Sequence, residues 1–294
     1  MSKLTLIYDN YASWEKDYIE FLFNNINYDI IYVEQEKLKN KLEEEDKLIG
    51  NNILVFSSNI YKFDLILKIV LRIKPIIIVH LSDEFGNNPE YTQLASYTKL
   101  LLHQYHCSSY PYDNYNNIIQ IPLGYMTGMF NNINNKNPLQ FQAKPLLERK
   151  YKWSFIGNMK KDRLELINNF SQKFNEKFIG NAITPSDMFN IYNDSIFVPN
   201  GRGNVTVDCF RIYEAILSGS IPVIVCDKEE FNSAFYYNND MPNFILEKTW
   251  NDAVNKCEYL LNNVKELENI QKENYEWLKK KIKSLQEIIS SVLN

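Results

Sequence analysis

The sequence predicts an α/β protein of two domains, each a parallel sheet flanked by helices. Three observations predict it. Short apolar runs alternate with amphipathic stretches along the whole chain, the pattern of strand–helix–strand units joined by right-handed crossovers. The run "PIIIVH" (Pro75–His80) is almost wholly apolar and β-branched, as expected of a strand buried on both faces. And 294 residues leave room for about two domains of roughly 100–200 residues each, with a polar, Asn-rich stretch near the middle to separate them.

Leu4–Tyr8 reads as a strand, Trp14–Phe23 as a helix, and Asp29–Val33 and Ile53–Ser57 as the second and third strands. "YKFDLILKIVLRI" reads as a helix leading into Pro75–His80. Asn88-Pro89-Glu90 has the form of a helix start, with Asn to cap, Pro in the first turn and an early acid. "TKLLLHQYH" and "IIQIPLG" supply two more strands, Gly124 allowing the turn that follows. From about Met126 to Lys150 the chain becomes polar, with two prolines in "NNINNKNPLQFQAKPLLERK", and reads as a linker. "WSFIGN" then opens a second series: a helix over Asp162–Phe174, the short strand "KFIG", and a helix start at Thr184-Pro185-Ser186-Asp187. The stretch "DSIFVPNGRGNVTVDCFRIYEAILSGSIPVIV" (Asp194–Val225) reads as strand, Gly-containing loop, helix from Thr206 to Leu217, and strand. "FILEK", a helix capped by Thr249 with Asp252, and a long charged amphipathic helix or helix pair over Val264–Leu293 complete the chain. The expected organisation is a domain over 1–125, a linker over 126–150, a domain over 151–263, and a terminal helix over 264–294 able to pack back on the first domain.

Composition narrows the function. Hydrophobic residues make up 45% and charged residues 23%, ordinary for a soluble globular protein. A net charge of −4 offers no basic footprint for nucleic acid, which is not an expected partner. The four cysteines are far apart with no CxxC pair and read as free thiols of a reducing compartment. The start "MSKLTLIYDN" lacks the apolar core of a signal peptide, and no run of 18 apolar residues exists, so no transmembrane span is expected and the expected location is cytoplasmic.

Ligands of open α/β sheets sit outside the carboxyl ends of the strands, and two such domains joined by a linker form a cleft. Residues just after strands are therefore the candidates. Pro199, Gly201, Arg202 and Gly203 lie between a strand and a helix, where glycines let backbone approach a ligand and free amides favour an anion. Arg211, Glu214 and Ser218 share a helix face by their i, i+3, i+7 spacing. Such a face suits a diphosphate at Arg211 and a ribose at Glu214, or equally a plain surface ion pair. Gly157 and Asn158, followed by Lys160, Lys161 and Arg163, form a second strand–helix turn, either a phosphate site or a solvated basic turn. In the first half, "HLSDEFG" places His80, Asp83 and Glu84 at the end of the most apolar strand. Glu84 is the preferred general base and Asp83 its rival, with a capping Asp and a surface Glu as the plain alternative. Asp9 is a further candidate. His103 and His106 fall on opposite faces of a strand, which disfavours a metal site between them.

"FVPNGRGNVTVDCFRIYEAILSGSIPVIV" resembles the signature of the exostosin-like glycosyltransferases, in which a strand, a Gly-containing loop, an Arg-x-x-Glu-Ala helix and a small-Gly-x-x-Pro-Val-Ile strand form the nucleotide-sugar site. Within that family it is most similar to the branch of ribitol xylosyltransferase, and "HLSDEFG", "IPLGY" and "WSFIGN" fit that branch in order. The resemblance is sharp over about Trp153–Val225. It implies a GT-B fold of two Rossmann-like domains, the first for the acceptor and the second for a nucleotide sugar. It also implies transfer with inversion from a donor that is a UDP-sugar to a glycan hydroxyl. It carries Arg211 over to the diphosphate and Glu214 to the ribose. Animal members have an N-terminal membrane anchor, which is not expected in this sequence. No D-x-D motif is present, so no metal cofactor is expected. The alternatives are a GDP-fucose-type transferase of the same fold, a non-catalytic nucleotide-sugar or glycan-binding module, and, more weakly, an epimerase.

Overall fold

The computed structural model describes residues 4–33, 52–57, 63–133, 137–235, 241 and 243–294. Elements are numbered over those residues, and the chain divides into two units, Met1–Pro122 with Lys283–Asn294, and Leu123–Ile282.

The first unit is built on a six-stranded parallel sheet in the order β2-β1-β3-β4-β5-β6. Its strands are β1 (Leu4–Asp9), β2 (Tyr28–Val33), β3 (Asn52–Ser57), β4 (Ile77–Leu81), β5 (Leu100–His103) and β6 (Ile118–Gln120). All of β3 and β4 is buried, as the continuous apolar runs require. Helix α1 (Lys16–Leu22) is preceded by a 3-10 turn over Asn10–Glu15, so the expected helix over Trp14–Phe23 begins later and in a tighter form. Helix α2 (Phe63–Ile73) buries Ile66, Ile69, Val70 and Ile73, an i, i+3, i+4, i+7 stripe, against Leu54, Ile78 and Leu101. The start expected at Asn88 is a 3-10 helix over Pro89–Tyr97 that the Asn88 side chain does not cap; its amide nitrogen donates to Asp83.

The second unit carries a five-stranded parallel sheet in the order β11-β10-β9-β7-β8. Its strands are β7 (Tyr151–Ile156), β8 (Lys177–Gly180), β9 (Ser195–Asn200), β10 (Ile221–Val225) and β11 (Ile245–Glu247). Its helices are α3 (Arg163–Lys173), α4 (Pro185–Asn193), α5 (Phe210–Leu217), α6 (Lys228–Ala234) and α7 (Trp250–Leu261). Trp153, Phe155, Phe170, Phe197 and Trp250 anchor the core. Thr184 and Thr249 accept from the amides of Asp187 and Asp252 at 3.2 and 3.1 Å, the caps their sequences predict. Helix α5 begins at Phe210 rather than Thr206. The residues before it are tied into a loop: Asn200 Nδ2 donates to the Val207 carbonyl at 2.7 Å and the Gly203 amide to that of Thr206 at 3.0 Å.

Residues 126–150 belong to the second unit. Phe130 and Phe141 pack on Phe189, with ring centroids 5.2 and 4.8 Å away, and Lys144 pairs with Asp194 at 2.7 Å. The last segment is one continuous helix, α8 (Val264–Leu293). Its residues from Lys283 onward count with the first unit, where Gln286 Nε2 donates to the Phe21 carbonyl at 2.9 Å. Among the described residues no helix is long and apolar enough to cross a membrane, and all four cysteines are free thiols.

Candidate active site

In the second unit, the candidates gather at the carboxyl ends of β7 and β9. Arg211 on α5 is buried, and its guanidinium clamps both strand ends. Nε and Nη2 donate to the Ile156 carbonyl at 3.3 and 3.2 Å, and Nη1 to the Gly201 carbonyl at 3.1 Å and to Asn200 Oδ1 at 3.4 Å. Arg163, at the start of α3, donates to the carbonyls of Asn158 and Arg202, both at 2.7 Å. Both guanidiniums lie over the ring of Phe155, 4.9 Å from its centroid for Arg211 and 5.7 Å for Arg163. Phe155 is therefore a platform for two cations.

The two glycines have specific reasons to be there. A Cβ on Gly157, whose φ is +153°, would lie 2.9 Å from Arg211 Nη2, and a Cβ on Gly201 would lie 2.6 Å from Arg163 Cγ. They make room for arginine side chains. Arg202 points elsewhere: it pairs with Glu230 through its two Nη nitrogens, and its amide donates to Asp162 Oδ1 at 3.1 Å. Lys160 and Lys161 fold over the loop to reach the side chain and backbone of Asn204.

Glu214 is buried on α5 and accepts from the Met126 amide at 3.1 Å. Burial pushes its carboxyl up to about 7, against the Met126 hydrogen bond and the charge of Arg211, which both pull it down. Ser218 lies one turn on, fully buried, its hydroxyl donating to the Glu214 carbonyl at 2.8 Å. Its hydroxyl is used within the helix. Pro199 is a buried residue of β9, paired with Val223 of β10, and the Gly203 amide is bonded within the loop. The structure thus brings Gly157, Asn158, Arg163, Gly201 and Arg211 into one cluster, with Glu214 beside Arg211.

In the first unit, Asp83 follows β4. It is buried and accepts from the Tyr110 hydroxyl at 2.5 Å and from Asn88 Nδ2 at 3.1 Å. Burial raises its pKa while these donors and the Asn87 backbone lower it. Glu84 is partly exposed beside it. The side chain of Asp9 lies outside the described residues. His80 and His103 are register partners on β4 and β5. Their rings are 4.8 Å apart and 13° from parallel, with the Phe56 ring stacked on His80 and that of Tyr110 on His103. Burial drives both imidazoles down, His80 well below its usual value and His103 to about 3. One ligand atom each from His80, Asp83 and His103 come within 4.8 Å of one another, a group able in number to hold a metal ion. An ion shared by two imidazoles must lie in both ring planes, and near-parallel stacked planes do not meet between the rings. The arrangement is an aromatic stack closed by an Asp–Tyr hydrogen bond.

Sequence reasoning missed Glu15, which is 2% exposed at the end of the 3-10 turn after β1. Burial pushes its carboxyl up to about 7 against donations from its own backbone amide and from Gln104. Its position after the first strand was the available signal. Its burial depends on partners remote in sequence.

No family model matches the sequence, and no curated protein matches it. Solved structures do. An alpha-glucosyltransferase solved with UDP and a 13-mer DNA containing an A:G mismatch superposes with a TM-score of 0.61 at 11% identity, over 98% of this chain and 99% of that one. The fold is that of the GT-B glycosyltransferases. T4 phage BGT in complex with its UDP-glucose substrate gives a TM-score of 0.52 at 13% identity, over 99% of each chain. The Thermobaculum terrenum O-GlcNAc transferase mutant K341M gives 0.54 at 12% identity, over 99% of this chain and 66% of that one. At these identities the likeness is one of fold: two parallel-sheet α/β domains of six and five strands.

Proposed function

We propose that the protein is a glycosyltransferase that moves a sugar from a UDP-sugar to a glycan hydroxyl, with inversion at the anomeric carbon. The observation that carries this reading is the paired guanidiniums of Arg211 and Arg163 on Phe155, at the carboxyl ends of β7 and β9. They occur in a fold shared with enzymes solved with UDP and UDP-glucose. The exostosin-like motif supports the same assignment, with Arg211 at the diphosphate and Glu214 at the ribose. Gly157, Asn158, Gly201, Arg202 and Gly203 provide the backbone around the phosphates, and Lys161 adds positive charge.

In the transfer, the acceptor oxygen forms a bond to the anomeric carbon as the bond from that carbon to the diphosphate oxygen breaks. The electron pair leaves with UDP, and the acceptor proton passes to a base. Negative charge grows on the diphosphate, where guanidiniums already fixed by backbone carbonyls need no reorganisation to stabilise it. These arginines fill the role a divalent ion could otherwise take.

A glycan acceptor fits the charge better than DNA. The acceptor-side residues 1–122 carry 11 Lys and Arg against 16 Asp and Glu, the wrong sign for a polyphosphate chain. The test is nucleotide release from a panel of UDP- and GDP-sugars, with and without glycans, followed by the product's anomeric configuration. One UDP-sugar should be turned over, faster with acceptor, giving the inverted anomer. Turnover of GDP-fucose alone would move the protein to the alternative transferase class. Binding with no release from any donor would leave a binding module.

A further inference from the structure

Among the described residues of the first unit, five large hydrophobic side chains are exposed: Trp14, Tyr32, Leu71, Phe85 and Tyr97. Tyr32 is occupied, its ring 4.8 Å from Lys16 Nζ and its hydroxyl donating to Glu20 at 3.1 Å. Leu71, in the last turn of α2, and Tyr97, at the end of the 3-10 helix before β5, lie where the chain enters strands, at the amino edge of the sheet. Trp14 and Phe85 follow β1 and β4, at the carboxyl edge where open α/β sheets hold their ligands. They are also the most exposed of the five, at 53% and 55%.

Both rings stand beside buried anchors. Trp14 is followed by Glu15, whose buried carboxylate takes a hydrogen bond from the Gln104 side chain. Gln104 is itself fully buried, and its Oε1 accepts from the Ser82 amide at 3.1 Å. The chain Glu15–Gln104–Ser82 therefore ties the turn that carries Trp14 to the start of the loop that carries Phe85. Phe85 sits in a tight turn that the Gly86 amide closes on the Asp83 carbonyl at 3.2 Å. The Tyr110 hydroxyl clasps that loop at both ends, donating to Asp83 Oδ2 at 2.5 Å and accepting from the Asn88 amide at 2.8 Å. A loop pinned in this way keeps its aromatic ring in water, a cost that a ligand covering the ring removes.

The two stretches, residues 10–15 and 82–88, hold Glu15, Asp83 and Glu84 and no Lys or Arg. That sign opposes a phosphate-bearing ligand. An uncharged ring with one apolar face suits it.

We propose that Trp14 and Phe85 form the acceptor platform, on which neutral sugar rings of the glycan stack by their apolar C–H faces. The proposal deepens the transferase reading and rests on it. The negative face of an aromatic ring attracts C–H groups, and rings fixed in advance lose little freedom on binding. Glu15, Gln104 and Asp83 are positioning residues that hold the two segments.

The test uses Trp14 as its own reporter. Trp153, Trp250 and Trp277 are buried, so Trp14 is the tryptophan open to acrylamide quenching. Chitotriose, cellotriose and maltotriose are titrated into wild type, Phe85→Ala and Tyr97→Ala. At least one trisaccharide should protect Trp14 in wild type and equally in Tyr97→Ala, whose lost ring lies at the opposite edge. In Phe85→Ala its affinity should fall about tenfold, roughly 1.4 kcal/mol of lost ring contact. Calorimetry with the same sugar should show a similar loss in Trp14→Ala and recovery of most of it in Trp14→Phe, with melting curves confirming that each variant is folded. Protection by none of the three sugars, undiminished protection in Phe85→Ala, or protection by a single-stranded oligonucleotide in place of a sugar overturns the platform. A wild type whose Trp14 is protected by sugar, but which releases nucleotide from no sugar donor, keeps the platform and defeats the transferase reading alone.

Discussion

The carboxyl edges of the two sheets are made from opposite chemistries. In the second unit the edge holds permanent charges, Arg211 and Arg163, locked in place by backbone carbonyls and a shared aromatic ring. In the first unit the edge holds titratable groups, Glu15, His80, His103 and Asp83, whose protonation is set by burial. The first arrangement suits a task in which charge is always required, holding a diphosphate. The second suits one in which a proton has to move. Arginine cannot be tuned by its surroundings at working pH, whereas a buried carboxyl or imidazole can be shifted across neutrality.

Breaking the fixed-charge edge has the largest expected effect. Arg211→Ala should reduce transfer by about 10²–10³-fold, the scale of losing one electrostatic donor to the transition state, measured as UDP release from the preferred donor. Gly157→Ala should act on the same edge without removing charge. Its Cβ would meet Arg211 Nη2 at 2.9 Å on a backbone that L side chains rarely adopt, so thermal stability and turnover should fall together.

The tunable edge should announce itself in the pH dependence of stability. His80 and His103 have folded pKa values below that of a free imidazole, His103 at about 3. The unfolded chain therefore binds protons that the folded chain refuses. The imidazoles' share of stability should fall as pH drops from about 6.5 towards 3. Glu15 and Glu214, raised to about 7, act in the opposite sense between about 7 and 4.5, so the comparison with a variant isolates the histidine effect. Chemical denaturation of wild type and His103→Phe at a series of pH values checks this, because the variant should show a shallower acid slope. A smaller effect belongs to the Asp83 anchor. Tyr110→Phe removes the hydrogen bond to the Asp83 carboxylate and the acceptor of the Asn88 amide, and should cost about 1.5–3 kcal/mol for the charged bond alone, read as a shift in the same denaturation curves.

The two edges also differed in how far the sequence disclosed them. Strand β4 and the threonine caps at Thr184 and Thr249 are local features, and their patterns were enough. Gly157 and Gly201 stood out as glycines after strands, but the reason for them includes side chains from two helices, α3 and α5, that only the fold brings under them. Asn88 has the form of a cap and is a tether for Asp83, its amide nitrogen donating to a carboxylate that the local pattern does not place beside it. Glu15 was invisible because its environment depends on Gln104, almost ninety residues later, and no local pattern encodes the burial of a carboxylate. Fixed charges next to glycines leave a mark in sequence. Tuned pKa values do not.

In the proposed transferase, the Arg211 edge of the second unit binds the diphosphate of a UDP-sugar. Calorimetric titration of UDP into wild type and Arg211→Lys, with melting curves to confirm that both are folded, tests it most directly. UDP should bind wild type saturably, and Arg211→Lys about 10–100-fold more weakly, since lysine keeps the charge but not the planar fork. Equal affinity for UDP in the two proteins, or no binding to either, would contradict it.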